Sequence, residues 1–152
     1  MTTSIDTARE DPLVGFHFLV DLEQAGLSGY FTEVSGLGSE TETIEHKVVN
    51  GGIEVVMQIP GRLKWDNITL KRGITSNMDM WGWRAKVETG KVMEARSDGS
   101  VVMFDQNLTE VARWNFQRAW PSKISGPSVK SDANEIGVEE LTLVHEGITR
   151  VN

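Results

Sequence analysis

The side chains able to do chemistry in this sequence are few and poorly spaced for it. His17, His46 and His145 lie far apart, and none has a second ligand at helical or turn spacing, as a metal site requires. The chain has no cysteine, which removes thiolate nucleophiles, thiolate metal sites and a disulfide framework together. Ser35 lies in Glu33-Val34-Ser35-Gly36-Leu37 and lacks the glycine two residues ahead that a nucleophile elbow uses. Gly36-Leu37-Gly38 is too short to cradle a phosphate, with neither a third glycine nor a Gly-Lys-Ser/Thr after it. Asp79 with Glu88, and Glu139 with Glu140, read as solvated surface in preference to acid–base pairs. Asn67-Ile68-Thr69 and Asn107-Leu108-Thr109 match the glycosylation acceptor pattern, which carries no weight without a secretory signal. The expectation is a protein that is not an enzyme, with no cofactor and no metal.

The totals bound the remaining classes. At 152 residues the chain fits one domain that buries roughly 68–70% of the surface its unfolded form exposes. With 39% hydrophobic and 24% charged residues, composition is that of a globular domain. The net charge of −7 argues against specific nucleic-acid binding, and Lys64, Lys71 and Arg72 read as ion-paired surface or interface. No apolar run approaches membrane-spanning length, so no stable membrane insertion is expected. Met1–Asp11 is polar and reads as a flexible tail ahead of a single domain over residues 12–152. Synthesis and assembly in the cytoplasm follow as the default.

Along the chain the periodicity is mostly that of strands. Ala112–Pro121 places Ala112, Trp114, Phe116 and Trp120 on one side and Arg113, Asn115 and Gln117 on the other. Trp114 is expected in the core. Arg118 falls among these aromatics, so either it stacks on them or the strand bends there, and Pro121 is expected to end the strand. Leu13–Leu22 and Tyr30–Leu37 read as an antiparallel pair joined by turns at Gly26 and Ser28-Gly29. Leu63–Leu70, after a Pro60-Gly61 turn, and Glu135–His145 read as further strands, the latter with Ile136, Val138, Leu141 and Leu143 as its apolar set and a bulge near Glu139-Glu140. Lys91–Arg96 and Val101–Asp105 complete a meander with a turn at Asp98-Gly99, and Ser128–Asn134 is a polar loop. A helix of roughly three turns fits Asn77–Thr89, with Ser76 near its start, Met80, Trp83 and Val87 on one face, and Gly90 as a C-terminal cap.

Asn50-Gly51-Gly52 is the clearest local signal, a tight turn between Thr43–Val49 and Ile53–Ile59. Ile44, Val48, Val55, Met57 and Ile59 alternate imperfectly with Glu45, Lys47, Glu54 and Gln58, so the faces of this hairpin read as mixed. Such an arm either folds over the core or reaches another subunit. Trp81 and Trp83 point to different sides of the helix; if one enters the core, the other is largely exposed unless a neighbour covers it. Ile44, Val48, Asn50, Gly51, Ile53, Val55, Met57 and Trp81 are therefore the candidate subunit-interface residues.

Five segments then carry a resemblance: Pro12–Phe18 (PLVGFHF), Phe31–Leu37 (FTEVSGL), Ile59–Gly73 (IPGR…NITLKRG), Ala112–Lys123 (ARWNFQRAWPSK) and Asn134–Gly147 (NEIGVEELTLVHEG). In this order they resemble the tail tube family of contractile-tail phages and phage-like contractile injection systems, over nearly the whole chain. Gln106-Asn107-Leu108-Thr109, where the family often has a glycine-containing turn, and Gly137, where it places a small residue such as alanine, depart from the pattern. The resemblance implies a mainly β fold, an antiparallel barrel or sandwich with one flanking helix. It also implies hexameric rings stacked into a hollow tube, with the hairpin at about 43–59 extending onto neighbouring subunits. The implied partners are further copies of the chain, a sheath protein, baseplate or spike and tube-terminating proteins, and cargo in the lumen, phage DNA in passage included. A tube-initiator ring at the baseplate is the nearest alternative. A small β-rich enzyme or glycan-binding module is a remote one.

Overall fold

The computed structural model describes residues 17–74, 76–127 and 137–152. The expected tail Met1–Asp11, the start of the first strand up to Phe16, the loop Ser128–Asn134 and the apolar Ile136 lie outside them. In chain order the strands are β1 His17–Leu22, β2 Leu27–Phe31, β3 Glu33–Ser35, β4 Ser39–Asn50, β5 Ile53–Trp65 and β6 Ile68–Gly73. Two helices follow, α1 Asp79–Glu88 and α2 Val92–Ala95, and then β7 Ser97–Phe104, β8 Glu110–Ser125, β9 Val138–Val144 and β10 Gly147–Arg150.

Aromatic and β-branched residues along β8 favour an extended, half-buried strand, and it pairs antiparallel with β7, β9 and β10. Among the described residues the sheet has eight strands, in the order β2-β1-β7-β8-β9-β6-β3 with β10 attached to β8. Its two end strands are consecutive in the chain, and the Thr32 N–H between them donates to the Lys71 carbonyl at 2.9 Å. The sheet thus curves back on itself as an antiparallel barrel, the chain bending at Thr32 from one end strand into the other.

Side-chain alternation along β8 breaks at Arg118, which has φ 51°. Ser97 pairs with Ala119 and Gly99 with Phe116, so Gln117 and Arg118 together oppose Asp98 alone, as in a β-bulge. The Asp98 carboxylate caps it by accepting the Arg118 N–H at 3.0 Å. An inserted residue exchanges the two faces of everything beyond it. Ala112 and Phe116 are buried before the bulge, and Ala119 and Pro121 after it. Trp120 is accordingly turned off the core side, contrary to simple alternation. Trp114 is only half-buried, with the Arg150 guanidinium 5.6 Å above its ring, and Phe116 fills the core in its place. Pro121 does not end the strand either: a second register shift between Pro121 and Lys123 accommodates it, the setting in which a sheet tolerates proline.

Other boundaries move for similar reasons. Pro60-Gly61 lies within β5, and Leu63 and Trp65 belong to that strand; as an edge strand it can do without an amide hydrogen. Ser28-Gly29 lies inside β2 and Asp98-Gly99 inside β7, the latter beneath the Phe116 ring. The turn between β1 and β2 is made at Gly26, and the two strands pair antiparallel as expected. Residues 91–96 form no strand, and α2 occupies that stretch.

α1 buries Met80 and Trp83, and the Trp83 indole N–H donates to the Ala95 carbonyl at 2.7 Å. Its first turn is capped by Asn77, whose side-chain oxygen accepts the Asp79 N–H at 2.8 Å. At the other end Gly90 has φ 87°, Gly90 N–H bonds Val87 O and Lys91 N–H bonds Lys86 O. Those bonds are the Schellman pair that satisfies the last carbonyls of a helix.

β9 shows no bulge at Glu139-Glu140, because its register with β6 is unbroken from Val138 to Leu143. Glu139, Leu141, Leu143 and His145 all face inward. What looked like a slip in the pattern is a buried carboxylate occupying an apolar position. Arg72 Nε lies 3.0 Å from Glu139 Oε2, with both side chains only 8% exposed. His145 is fixed between Asp66 O at 2.9 Å and the Gly147 N–H, which donates to Nδ1 at 3.1 Å. With Nδ1 accepting, Nε2 carries the proton and donates. This histidine is a structural bridge. The turn after Asp105 is built without glycine: Leu108 takes φ 59°, and Asp105 Oδ1 accepts the N–H groups of Asn107 and Thr109 at 2.8 and 2.9 Å.

Candidate assembly interface

β4 and β5 form a two-stranded sheet of their own, separate from the barrel. The turn is one position later than the Asn-Gly signal implies. Asn50 pairs with Ile53, and the two central residues are Gly51 at φ 62° and Gly52 at φ 81°. Both angles are those of the primed two-residue turns that match strand twist.

The pairing register sorts the side chains. Directly opposed residues in an antiparallel ladder share a face, and the pairs Ile44–Ile59, His46–Met57, Val48–Val55 and Asn50–Ile53 lie on one side. Glu45–Gln58, Lys47–Val56 and Val49–Glu54 lie on the other. The pairing thus concentrates the apolar residues on one ladder, while the other side is mostly polar but keeps the exposed Val49 and Val56, so the faces are unequal rather than cleanly divided. That ladder is open to solvent, with Ile44 51%, Ile53 67%, Val55 42% and Met57 49% exposed. Covering each of these half-exposed side chains is worth about 1 kcal/mol. An isolated two-stranded hairpin is marginal in water, so a face of this kind calls for a surface to lie on.

Of the candidate residues, Ile44, Val48, Ile53, Val55 and Met57 come together on this ladder, and Asn50 and Gly51 sit at its tip. Trp81 does not join them. It is half-buried on α1, and its indole N–H donates to Glu139 Oε1 at 2.9 Å, so its polar edge is satisfied within its own chain. Sequence reasoning passed over Glu139 and Arg72 as partners. The signal available was an acid on the inward parity of β9. The cluster Arg96, Arg118 and Glu146 was also missed, because it is assembled from three separate segments.

Replacing both turn glycines, Gly51→Val with Gly52→Val, is expected to unseat the hairpin while leaving the barrel intact, since β-branched residues at positive φ cost about 1–2 kcal/mol each. The check is a barrel melting temperature within about 2 °C of the parent alongside fast hydrogen exchange of the hairpin amides.

The described residues hold no group of three or more His, Asp or Glu side chains able to bind a metal. Glu110 is held below the usual carboxylate range, first by the Asn152 amide at 2.7 Å and then by Arg113 at 3.0 Å. It ties β8 to the chain beyond β10. None of the helices described is long and apolar enough to cross a membrane.

An antiparallel barrel that projects a solvent-exposed amphipathic hairpin has the outline of a structural subunit. The T4-like virus tail tube protein gp19 family matches residues 14–149, and the chain belongs to that family. It is a structural tube protein and not an enzyme. Among solved structures, a chain of the PVC extracellular contractile injection system sheath–tube complex in its extended state is 25% identical, with 99% of each chain covered and a TM-score of 0.76. A chain of the anti-feeding prophage tube-terminating cap is 26% identical over 98% of this chain and 97% of that one, with a TM-score of 0.75. Hcp1 from Flavobacterium johnsoniae shares the fold, at 15% identity, 88% and 93% coverage and a TM-score of 0.53. No curated protein sequence matches the chain.

Proposed function

We propose that this chain is the inner-tube subunit of a contractile injection particle or phage tail, in which hexameric rings stack around a central channel. The exposed apolar ladder of the β4–β5 hairpin carries this reading, because a face so open calls for cover and a neighbouring copy in the ring would supply it. Ring closure also gives partners to strand edges such as that of β10, which among the described residues pairs with β8 alone. The mechanism is mechanical. A surrounding sheath contracts, the stiff tube is driven through a target envelope, and cargo leaves along the lumen, with no bond made or broken by the subunit. Sheath, baseplate or spike and terminator proteins are its other partners, and assembly takes place in the cytoplasm before the particle acts outside. The likeness to a sheath–tube complex, at full coverage of both chains, favours the main tube over an initiator ring.

Val55→Lys with Met57→Lys tests the reading. Two cations on the ladder are expected to abolish rings and tubes in negative-stain images while moving the melting temperature by no more than about 2 °C, as for exposed positions in general. Tubes of normal length from this variant would show that the hairpin face is not the contact.

A further inference from the structure

We propose that Arg96 and Arg118 form a docking site for an acidic side chain of a second copy of this chain, a site that Glu146 fills in the free subunit. The inference rests on the tube reading and adds a specific contact to it. Arg118 occupies a left-handed backbone position that favours glycine and disfavours long side chains. The bulge does not need arginine there, because its capping bond runs from the backbone N–H to Asp98 and any non-proline residue would make it. Bulges re-aim side chains, and this one turns the guanidinium towards Glu146, with Nε 2.8 Å from Oε2.

Arg96 reaches the other oxygen of that carboxylate at 3.4 Å, and its Nε is buried without a hydrogen-bond partner among the described residues. Two guanidiniums therefore share one carboxylate. Asp98 does not complete them: one of its oxygens accepts the Arg118 backbone N–H and the other the Gln24 amide at 3.4 Å. An open pocket of about 150 Å³ beside the pair is lined by Gln24, Met93, Arg96, Ser97, Asp98 and Arg118. A planar carboxylate suits such a fork of donors. The chain carries 22 acidic residues against 15 basic ones, so copies packed together must set carboxylates against cations. Glu40, Glu42 and Glu45 stand exposed on the projecting β4, within the arm proposed to reach a neighbour.

The experiment compares the full chain with Arg118→Gly and Glu146→Gln, measuring monomer melting and the critical concentration for tube formation at low and high salt. Arg118→Gly is expected to melt no lower than the parent, since its backbone geometry suits glycine. Its critical concentration is expected to rise about tenfold at low salt and to lose part of its salt dependence. Glu146→Gln frees both cations and is expected to lower the critical concentration. Unchanged assembly of Arg118→Gly overturns the proposal. So does a Glu146→Gln variant that melts lower without assembling better, the behaviour of an ion pair serving only the fold. Should Arg118→Gly itself melt lower, the Glu146→Gln result decides alone. A parent chain that never assembles defeats the tube reading and this site with it, whereas variants indistinguishable from an assembling parent defeat this site only.

Discussion

Glu139→Ala is expected to lower the stability of the barrel by about 3–5 kcal/mol, the scale for removing one partner of a buried ion pair. The carboxylate is used twice, accepting from Arg72 Nε at 3.0 Å and from the Trp81 indole at 2.9 Å. Without it the Arg72 guanidinium keeps, among the described residues, the Asn77 carbonyl at 3.4 Å and the face of Phe31, 5.2 Å from the ring centroid. Neither neutralises a buried positive charge, and desolvation of that charge is the dominant cost. For a chain of this size the loss corresponds to a fall in melting temperature of about 10 °C. The double replacement Arg72→Met with Glu139→Leu removes both charges and is expected to recover much of the loss, with the Trp81 N–H as the remaining unpaired group. A Glu139→Ala melt within 2 °C of the parent, measured by calorimetry, would mean that Arg72 escapes to solvent and that the pair is incidental.

The second large effect is at Phe116. Phe116→Ala is expected to cost about 3–5 kcal/mol, because the ring is 1% exposed and packs under Gly99, where even an added methyl group would collide with it. Trp114→Ala should cost clearly less, although tryptophan is the larger side chain. It lies at the margin of the core, only partly buried, with one face covered by Arg150. Denaturant midpoints for the two variants settle the order, and a larger loss at Trp114 would show that Trp114, and not Phe116, is the principal anchor of this face of β8.

Much of this protein is written locally. The glycines at 51 and 52 specify a tight turn because positive φ is available to them at no steric cost, and the strands on either side follow from that turn. Gly90 stops α1 by the same freedom, and Met80 and Trp83 mark its buried face through spacing alone. The ordered motifs between Pro12 and Gly147 identified the family before any coordinates, and with it the barrel and the tube. All of these signals depend on residues a few positions apart, where backbone sterics and turn chemistry act.

Tertiary structure decided what depends on partners distant in sequence. The hairpin read as mixed because alternation along one strand does not say which residue stands opposite; pairing Val48 with Val55 and Ile44 with Ile59 made one face apolar. Glu139 looked like a surface acid or a slipped register until β6 set Arg72 against it from 67 positions away. The bulge at Arg118 needed Asp98, on a neighbouring strand, to receive its amide. Register, burial and charge pairing are properties of the closed barrel, and they are determined by the long-range contacts that only folding brings together.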